Sequence, residues 1–287
     1  MSLLVTGGSG YLASRLVSLA LDRQHDRVVV VSRSEPDAWW RDDVDWRSLD
    51  LLDGPAVSAL FADVAPAAVI STAATNPGQG TDYAVNEIGA SAVAGVCARH
   101  GARLVHVSSD IVHGGDLAAD ATGYADDAEP SPINPYGRSK AVGERLVLDA
   151  LPAAAVVRTS LIYGIERVDR GTAGFIERLE RGERLSLWGD AIRQPVWIDA
   201  LSSALLDLAL VHTNVTGTLN VAGDEAMSRA DFARRLLAHW GVDASGRIDI
   251  TRAADLEGQP LDLRLDLRLA RTLGLPVPGV GEVLADT

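Results

Sequence analysis

Tyr136-Gly137-Arg138-Ser139-Lys140 is the segment of this chain best suited to moving a proton. It opens a helical stretch, so Tyr136 and Lys140, four residues apart, share one helix face. A phenol with a pKa of about 10 is a poor proton carrier at neutral pH. An adjacent ammonium is expected to lower that value, letting the phenol exchange a proton with a carbonyl or alcohol oxygen. The chain has 26 basic residues, and Lys140 is its single lysine beside 25 arginines. A Tyr-x-x-x-Lys spacing arises readily by chance; a sole lysine in that position does so much less readily. Ser108-Ser109-Asp110 ends an apolar run, where a hydroxyl can donate a hydrogen bond to a substrate carbonyl.

A second constellation lies at the start. Thr6-Gly7-Gly8-Ser9-Gly10-Tyr11-Leu12-Ala13 sits between the first apolar strand and the first helical pattern. Gly7 permits a tight turn, Gly10 lets the backbone approach a pyrophosphate, and Ala13 keeps the helix close to the sheet. This is the place of a dinucleotide-binding turn, in a Gly-x-x-Gly-x-x-Ala spacing. The second strand ends Val31-Ser32-Arg33-Ser34, without the acid that holds the ribose 2′-hydroxyl of NAD. Ser32 and Arg33 are suited to a 2′-phosphate, so NADPH is favoured over NADH. Asp50, with Leu51, is expected at the adenine edge, although Asp53 reads equally as a helix N-cap. Trp39 and Trp40 are candidates to cover the adenine.

The elements that position these residues alternate strand and helix. Strands are expected at Leu3–Thr6, Arg27–Ser32, Val44–Leu49, Val69–Thr72, Arg103–Ser108 and Ala154–Thr159. Helices are expected at Tyr11–Gln24, Asp82–His100 and Pro135–Ala150. Continuous apolar strands separated by helices imply an α/β fold, a Rossmann-type doubly wound parallel sheet covered on both faces. After Tyr163 the pieces shorten. Helices are expected at Gly171–Arg181, Asp199–His212, Ala230–Trp240 and Asp266–Leu273, with strands at Leu185–Leu187, Gln194–Ile198 and Thr218–Val221. The expected division is an NAD(P)-binding part at 1–162, with returning elements at about 192–222, and a smaller C-terminal substrate-binding lobe from 163–191 and 223–287. Ala119–Asn134, rich in Asp, Pro and Gly, reads as a flexible surface loop.

Composition narrows the function. With 287 residues, 47% hydrophobic and 23% charged, the chain can bury a full α/β core. Its net charge of −13 opposes binding to nucleic acid or anionic lipid. No stretch approaches the roughly 20 apolar residues of a membrane span. The opening MSLLVTGGSG has neither a basic nor an apolar leader region. With a lone Cys97 and no His spacing suited to a metal, no metal and a reducing, cytoplasmic setting are expected.

TGGSGYLA, SSDIV, NPYGRSKAVGE, RTSLIYG, RQPVWID and LNVAGDE, in this order, resemble the extended short-chain dehydrogenase/reductase family across nearly the whole chain. The resemblance implies Ser109, Tyr136 and Lys140 as the catalytic triad, with Lys140 also on the nicotinamide ribose. It implies Asn86 as a supporting helix residue that belongs, with Tyr136 and Lys140, to the cofactor-binding set. Tyr11, Leu12, Ala73 and Ala74 join the cofactor-binding set.

The active-site context is most similar to the dTDP-4-dehydrorhamnose reductase branch, which implies reduction of the 4-keto group of a nucleotide-linked deoxysugar by NADPH. Asp110 and Arg193 are then substrate-binding, with Arg193 at the pyrophosphate; Trp197, Trp188, Arg252 and Arg264 are further candidates. Ile111 stands where a dehydratase needs a second acid, which disfavours dehydration. His113 replaces an aromatic residue, and Gln259 stands where the family often has Arg. The alternatives are an NAD-dependent nucleotide-sugar epimerase, another carbonyl reductase, and a non-catalytic dinucleotide-binding regulatory protein. Helices at Asp82–His100 and Pro135–Ala150 commonly form a homodimer interface in relatives.

Overall fold

A computed structural model describes residues 2–35, 44–77, 80–118 and 120–287. The chain first runs β1 (Ser2–Thr6), α1 (Tyr11–Asp22), β2 (Arg27–Ser32), β3 (Asp45–Ser48), α2 (Gly54–Val64) and β4 (Ala68–Ser71). It continues through α3 (Ala90–His100), β5 (Arg103–Val107), α4 (Pro135–Ala150), β6 (Ala155–Arg158), β7 (Ile162–Tyr163), α5 (Arg170–Glu180), β8 (Leu185–Trp188) and β9 (Ile192–Arg193). The remainder is β10 (Val196–Trp197), α6 (Ile198–Leu210), β11 (Gly217–Asn220), β12 (Met227–Ser228), α7 (Arg229–His239), β13 (Ile248–Thr251), α8 (Arg268–Thr272) and α9 (Val280–Asp286).

Seven strands form one parallel sheet in the order β3-β2-β1-β4-β5-β6-β11. Val28 to Val31 show why: consecutive β-branched side chains fill both faces of a strand that is buried on both. On one face Leu3 and Val5 pack with Leu12, Leu16 and Ala20 of α1 and Leu201, Leu205 and Leu208 of α6. On the other, Leu4, Val69 and Leu104 pack with Phe61 of α2 and Val93 and Cys97 of α3. The order reverses between β1 and β4, so the crevice at a topological switch point opens there, beyond the carboxyl ends of the strands. The expected strands and helices of the first half stand within a few residues of their places; α2 is additional, capped by Asp53, which accepts from Ala56 N–H (3.0 Å).

Three differences bear on the site. The helix expected from Asp82 begins at 84 and passes through a wide π-turn, Val85–Gly89, before α3. Such turns interrupt the regular ladder and favour functional positions; Asn86 is in this one. The 120–134 segment is not the free loop its composition suggests. Tyr124 N–H donates to the Arg264 carbonyl (2.8 Å), Asp266 N–H donates to the Tyr124 carbonyl (2.9 Å), and Ser131 N–H donates to the Val112 carbonyl (2.8 Å). Finally, β7, β9, β12, β13 and α9 were not expected at all; β7 pairs with β10, β9 with β12 and β8 with β13. Among the described residues no helix is long and apolar enough to cross a membrane.

Candidate active site

The glycine turn follows β1 as expected. Gly7 has φ +77°, and a Cβ there would lie 2.7 Å from the Ala73 backbone nitrogen. Only glycine allows this turn against the end of β4. Gly10 N–H donates to the Gly7 carbonyl (2.8 Å), and Gly10 caps α1 in extended conformation without a side-chain cap or an acid in the first turn. The open helix end suits a pyrophosphate, and Ala73 borders the turn. These residues fit a dinucleotide. Leu12 is buried in the sheet-facing core, and Tyr11 donates its hydroxyl to the Arg167 carbonyl (2.6 Å), tying the turn to the loop after β7.

At the end of β2 the two expected residues part. Arg33 is exposed. Ser32 is buried; its hydroxyl donates to the Ser34 carbonyl (2.7 Å) and accepts from the Trp46 indole (2.9 Å). Both capacities of Ser32 are spent inside the protein, so Arg33 is the residue of the pair that faces outward. Asp50 is exposed, with one oxygen accepting from Leu52 N–H (3.0 Å), while Leu51 is buried. Trp39 and Trp40 lie outside the described residues.

Asn134 caps α4 by accepting from Gly137 N–H (2.8 Å), with Pro135 at the first helical position. A Cβ on Gly137 would lie 2.3 Å from the Ile111 carbonyl, so glycine here brings α4 against the Ser109–Ile111 segment. Lys140 is buried and donates from Nζ to the Val107 carbonyl (2.7 Å). Burial pushes its pKa down to about 8, against the opposing charge of Glu144 one turn on. The half-buried Tyr136 donates its hydroxyl to Asn76 Oδ1 (3.2 Å).

The expected lowering of the Tyr136 pKa by Lys140 is not what the structure shows. Burial and then the Asp110 charge push it up, and a hydrogen bond with Ser109 opposes them. The ammonium is turned to a strand carbonyl instead. Tyr136 therefore stands protonated at neutral pH, the form a proton donor needs.

Around this pair, Ser109 donates to Asp110 Oδ1 (3.2 Å), and Ser160 donates to Asp110 Oδ2 (2.7 Å). Burial raises the Asp110 pKa, opposed first by Arg193. Asn86 is 1% exposed. It accepts from Thr75 N–H (2.8 Å) and donates to the Thr75 carbonyl (3.1 Å) and Ser139 Oγ (3.0 Å). Its side-chain polar atoms serve the loop that carries Asn76, so Asn86 supports the site rather than facing a cofactor.

Arg193, expected at a pyrophosphate, is 5% exposed, and its guanidinium donates to the carbonyls of Ile192 (2.8 Å) and Pro260 (3.2 Å). Arg264 is held by Asp262 (2.8 Å), and Arg252 is an exposed residue 3.8 Å from Asp190. Trp197 packs against the core clusters on both sides of β10. Ser160 and Glu144 lie inside the quoted motifs without a role being read for them, Glu144 one turn after Lys140; Asn76 and Trp46 lie in none, and only tertiary structure brings them near.

The RmlD substrate binding domain model matches residues 1–264. The chain belongs to this family. It is 33% identical over 252 residues to dTDP-4-dehydrorhamnose reductase of Mycobacterium tuberculosis, covering 84% of this chain and 76% of that one. It is 32% identical over 256 residues to dTDP-4-keto-6-deoxy-D-glucose reductase of Streptomyces niveus, covering 85% and 80%. The fold superposes on dTDP-4-dehydrorhamnose reductase from Bacillus anthracis in complex with NADP with a TM-score of 0.81, at 23% identity, over 99% of this chain and 97% of that one.

Proposed function

We propose that this RmlD-family protein is an NADPH-dependent reductase of the 4-keto group of a nucleotide-linked 6-deoxysugar. What supports this reading is the meeting of Tyr136 with Ser109, with Lys140 one turn on along α4, in a chain one third identical to enzymes named for that reduction. NADPH, when bound, supplies the hydride. Tyr136, held protonated, gives its proton to the oxygen that becomes the alcohol. Ser109 hydrogen-bonds the same oxygen, turning its hydroxyl away from Asp110 to do so. The Lys140 ammonium offsets the charge of the phenolate left behind, and solvent then returns one proton to that phenolate.

Arg33 is the exposed cation at the end of β2 and is suited to the 2′-phosphate that separates NADPH from NADH. Residues 1–162 with the returning 192–222 make the cofactor half, and 163–191 with 223–287 make the substrate half. Ile111 leaves Asp110 without an adjacent second acid, and Asp110 is itself bound by Ser160, which disfavours dehydration. The test is loss of NADPH absorbance on adding a dTDP-4-keto-6-deoxysugar, with NADH as the comparison. Turnover supports the assignment, and its absence from cofactor-binding protein across such sugars removes it.

A further inference from the structure

We propose that Arg229, the first residue of α7, is the guanidinium that receives the diphosphate of the nucleotide-linked substrate, a role that rests on the function proposed above. The β9–β12 pairing sets Met227 opposite Arg193, and Arg229 N–H donates to the Ala191 carbonyl (3.0 Å). Arg193 in β9 and Arg229, directly after β12, thus both come within reach of the Asp110 charge.

The two arginines are not equivalent. Arg193 is spent on the Ile192 and Pro260 carbonyls, with its Nε 3.9 Å from Asp110 Oδ2. The Arg229 side chain makes no hydrogen bond to any described residue. Its guanidinium carbon lies 5.0 Å from the centre of the Trp188 ring, a contact that uses none of its donors.

Charge points the same way. Asp110 faces two guanidiniums, and the neighbouring Asp262 is committed to Arg264. Three guanidiniums, of Arg193, Arg229 and Arg264, thus share two carboxylates, with Arg229 only partly exposed, and Arg193 and Arg229 repel each other. An anion between them relieves both costs. Five N–H donors in a fixed plane match a diphosphate better than a single carboxylate. The site stands at the β5 side of the sheet, beside Ser109 and Asp110 and apart from the β2 end where Arg33 lies. The anion is therefore the substrate's.

The test measures dTDP binding, by calorimetry in saturating NADPH, for the wild type and for Arg229→Gln and Arg229→Lys. Loss of a charged hydrogen-bonding partner predicts roughly a 10- to 100-fold weaker Kd for Arg229→Gln. Partial recovery is expected in Arg229→Lys, which restores charge without the fork. NADPH affinity in Arg229→Gln should match the wild type, which also verifies folding, and the KM for the keto-sugar should rise with little change in kcat. If dTDP binds the wild type and Arg229→Gln within twofold of each other, Arg229 is not the diphosphate residue, and the reductase assignment stands. If the wild type binds NADPH but neither dTDP nor another nucleoside diphosphate, the nucleotide-sugar assignment falls and this one with it.

Discussion

Glu144 on α4 and Arg158 at the end of β6 form a two-pronged ion pair, 2.9 Å at its closest, with both side chains 3% exposed. Ser108 donates its hydroxyl to the same carboxylate, and Arg158 donates to the carbonyls of Asp126 (3.2 Å) and Ala128 (2.8 Å). The pair thereby fixes both the exit of β5, which carries Ser109, and the 120–134 segment.

Breaking such a pair leaves a buried charge alone. Glu144→Gln is expected to lower unfolding free energy by about 3–5 kcal/mol. The double change Glu144→Leu with Arg158→Met should cost less than the sum of the single changes. Urea unfolding of the four proteins checks this, and additivity would contradict it.

Glu144 also props up the charge of Lys140, whose pKa burial pushes down to about 8. The ammonium is present below that value and lost above it, so kcat/KM for reduction is expected to fall as pH rises through about 8. In a folded Glu144→Gln protein the alkaline limb should move to lower pH. A profile that stays level to pH ~10 in the wild type contradicts a charged Lys140 in the reaction.

His113, in place of an aromatic residue, lies flat on Tyr124 with ring centres 4.0 Å apart and 2° between planes. Burial, then Arg158, pushes its pKa down to about 4. Between that value and the unfolded value of about 6.5 the unfolded chain binds more protons, so stability falls as pH falls through this window. His113→Phe removes that share and keeps the stacking. Relative to pH 7, the wild type should lose roughly 2 kcal/mol more than His113→Phe by pH 5. Urea midpoints at the two pH values decide; an equal loss in both proteins contradicts it.

Arg33→Ala should raise the Kd for NADPH by roughly 10- to 100-fold while leaving NADH within about twofold. Fluorescence titration with both cofactors measures it. Equal weakening for the two would place Arg33 away from the 2′-phosphate.

Val28–Val31 and the other apolar runs announce the sheet, because strands buried on both faces need continuous hydrophobic residues. Two-residue strands such as β9 and β12 carry no period, and only their pairing across the fold defines them. The Tyr136–Lys140 relation is likewise written in helix spacing. Its electrostatics are not: the direction of the Lys140 ammonium depends on the Val107 carbonyl, and the burial of Tyr136 on segments far away in the chain. The RQPVWID motif marks Arg193 but not which way it points. Arg229 has no motif, and becomes visible only when β12 pairs with β9.

The most direct measurement is turnover and NADPH binding of Tyr136→Phe with a dTDP-4-keto-6-deoxysugar. With the phenol as the proposed proton donor, kcat should fall about 10²- to 10⁴-fold with the NADPH Kd unchanged within about twofold. A variant that binds NADPH and turns over within about threefold of the wild type would contradict Tyr136 as the acid.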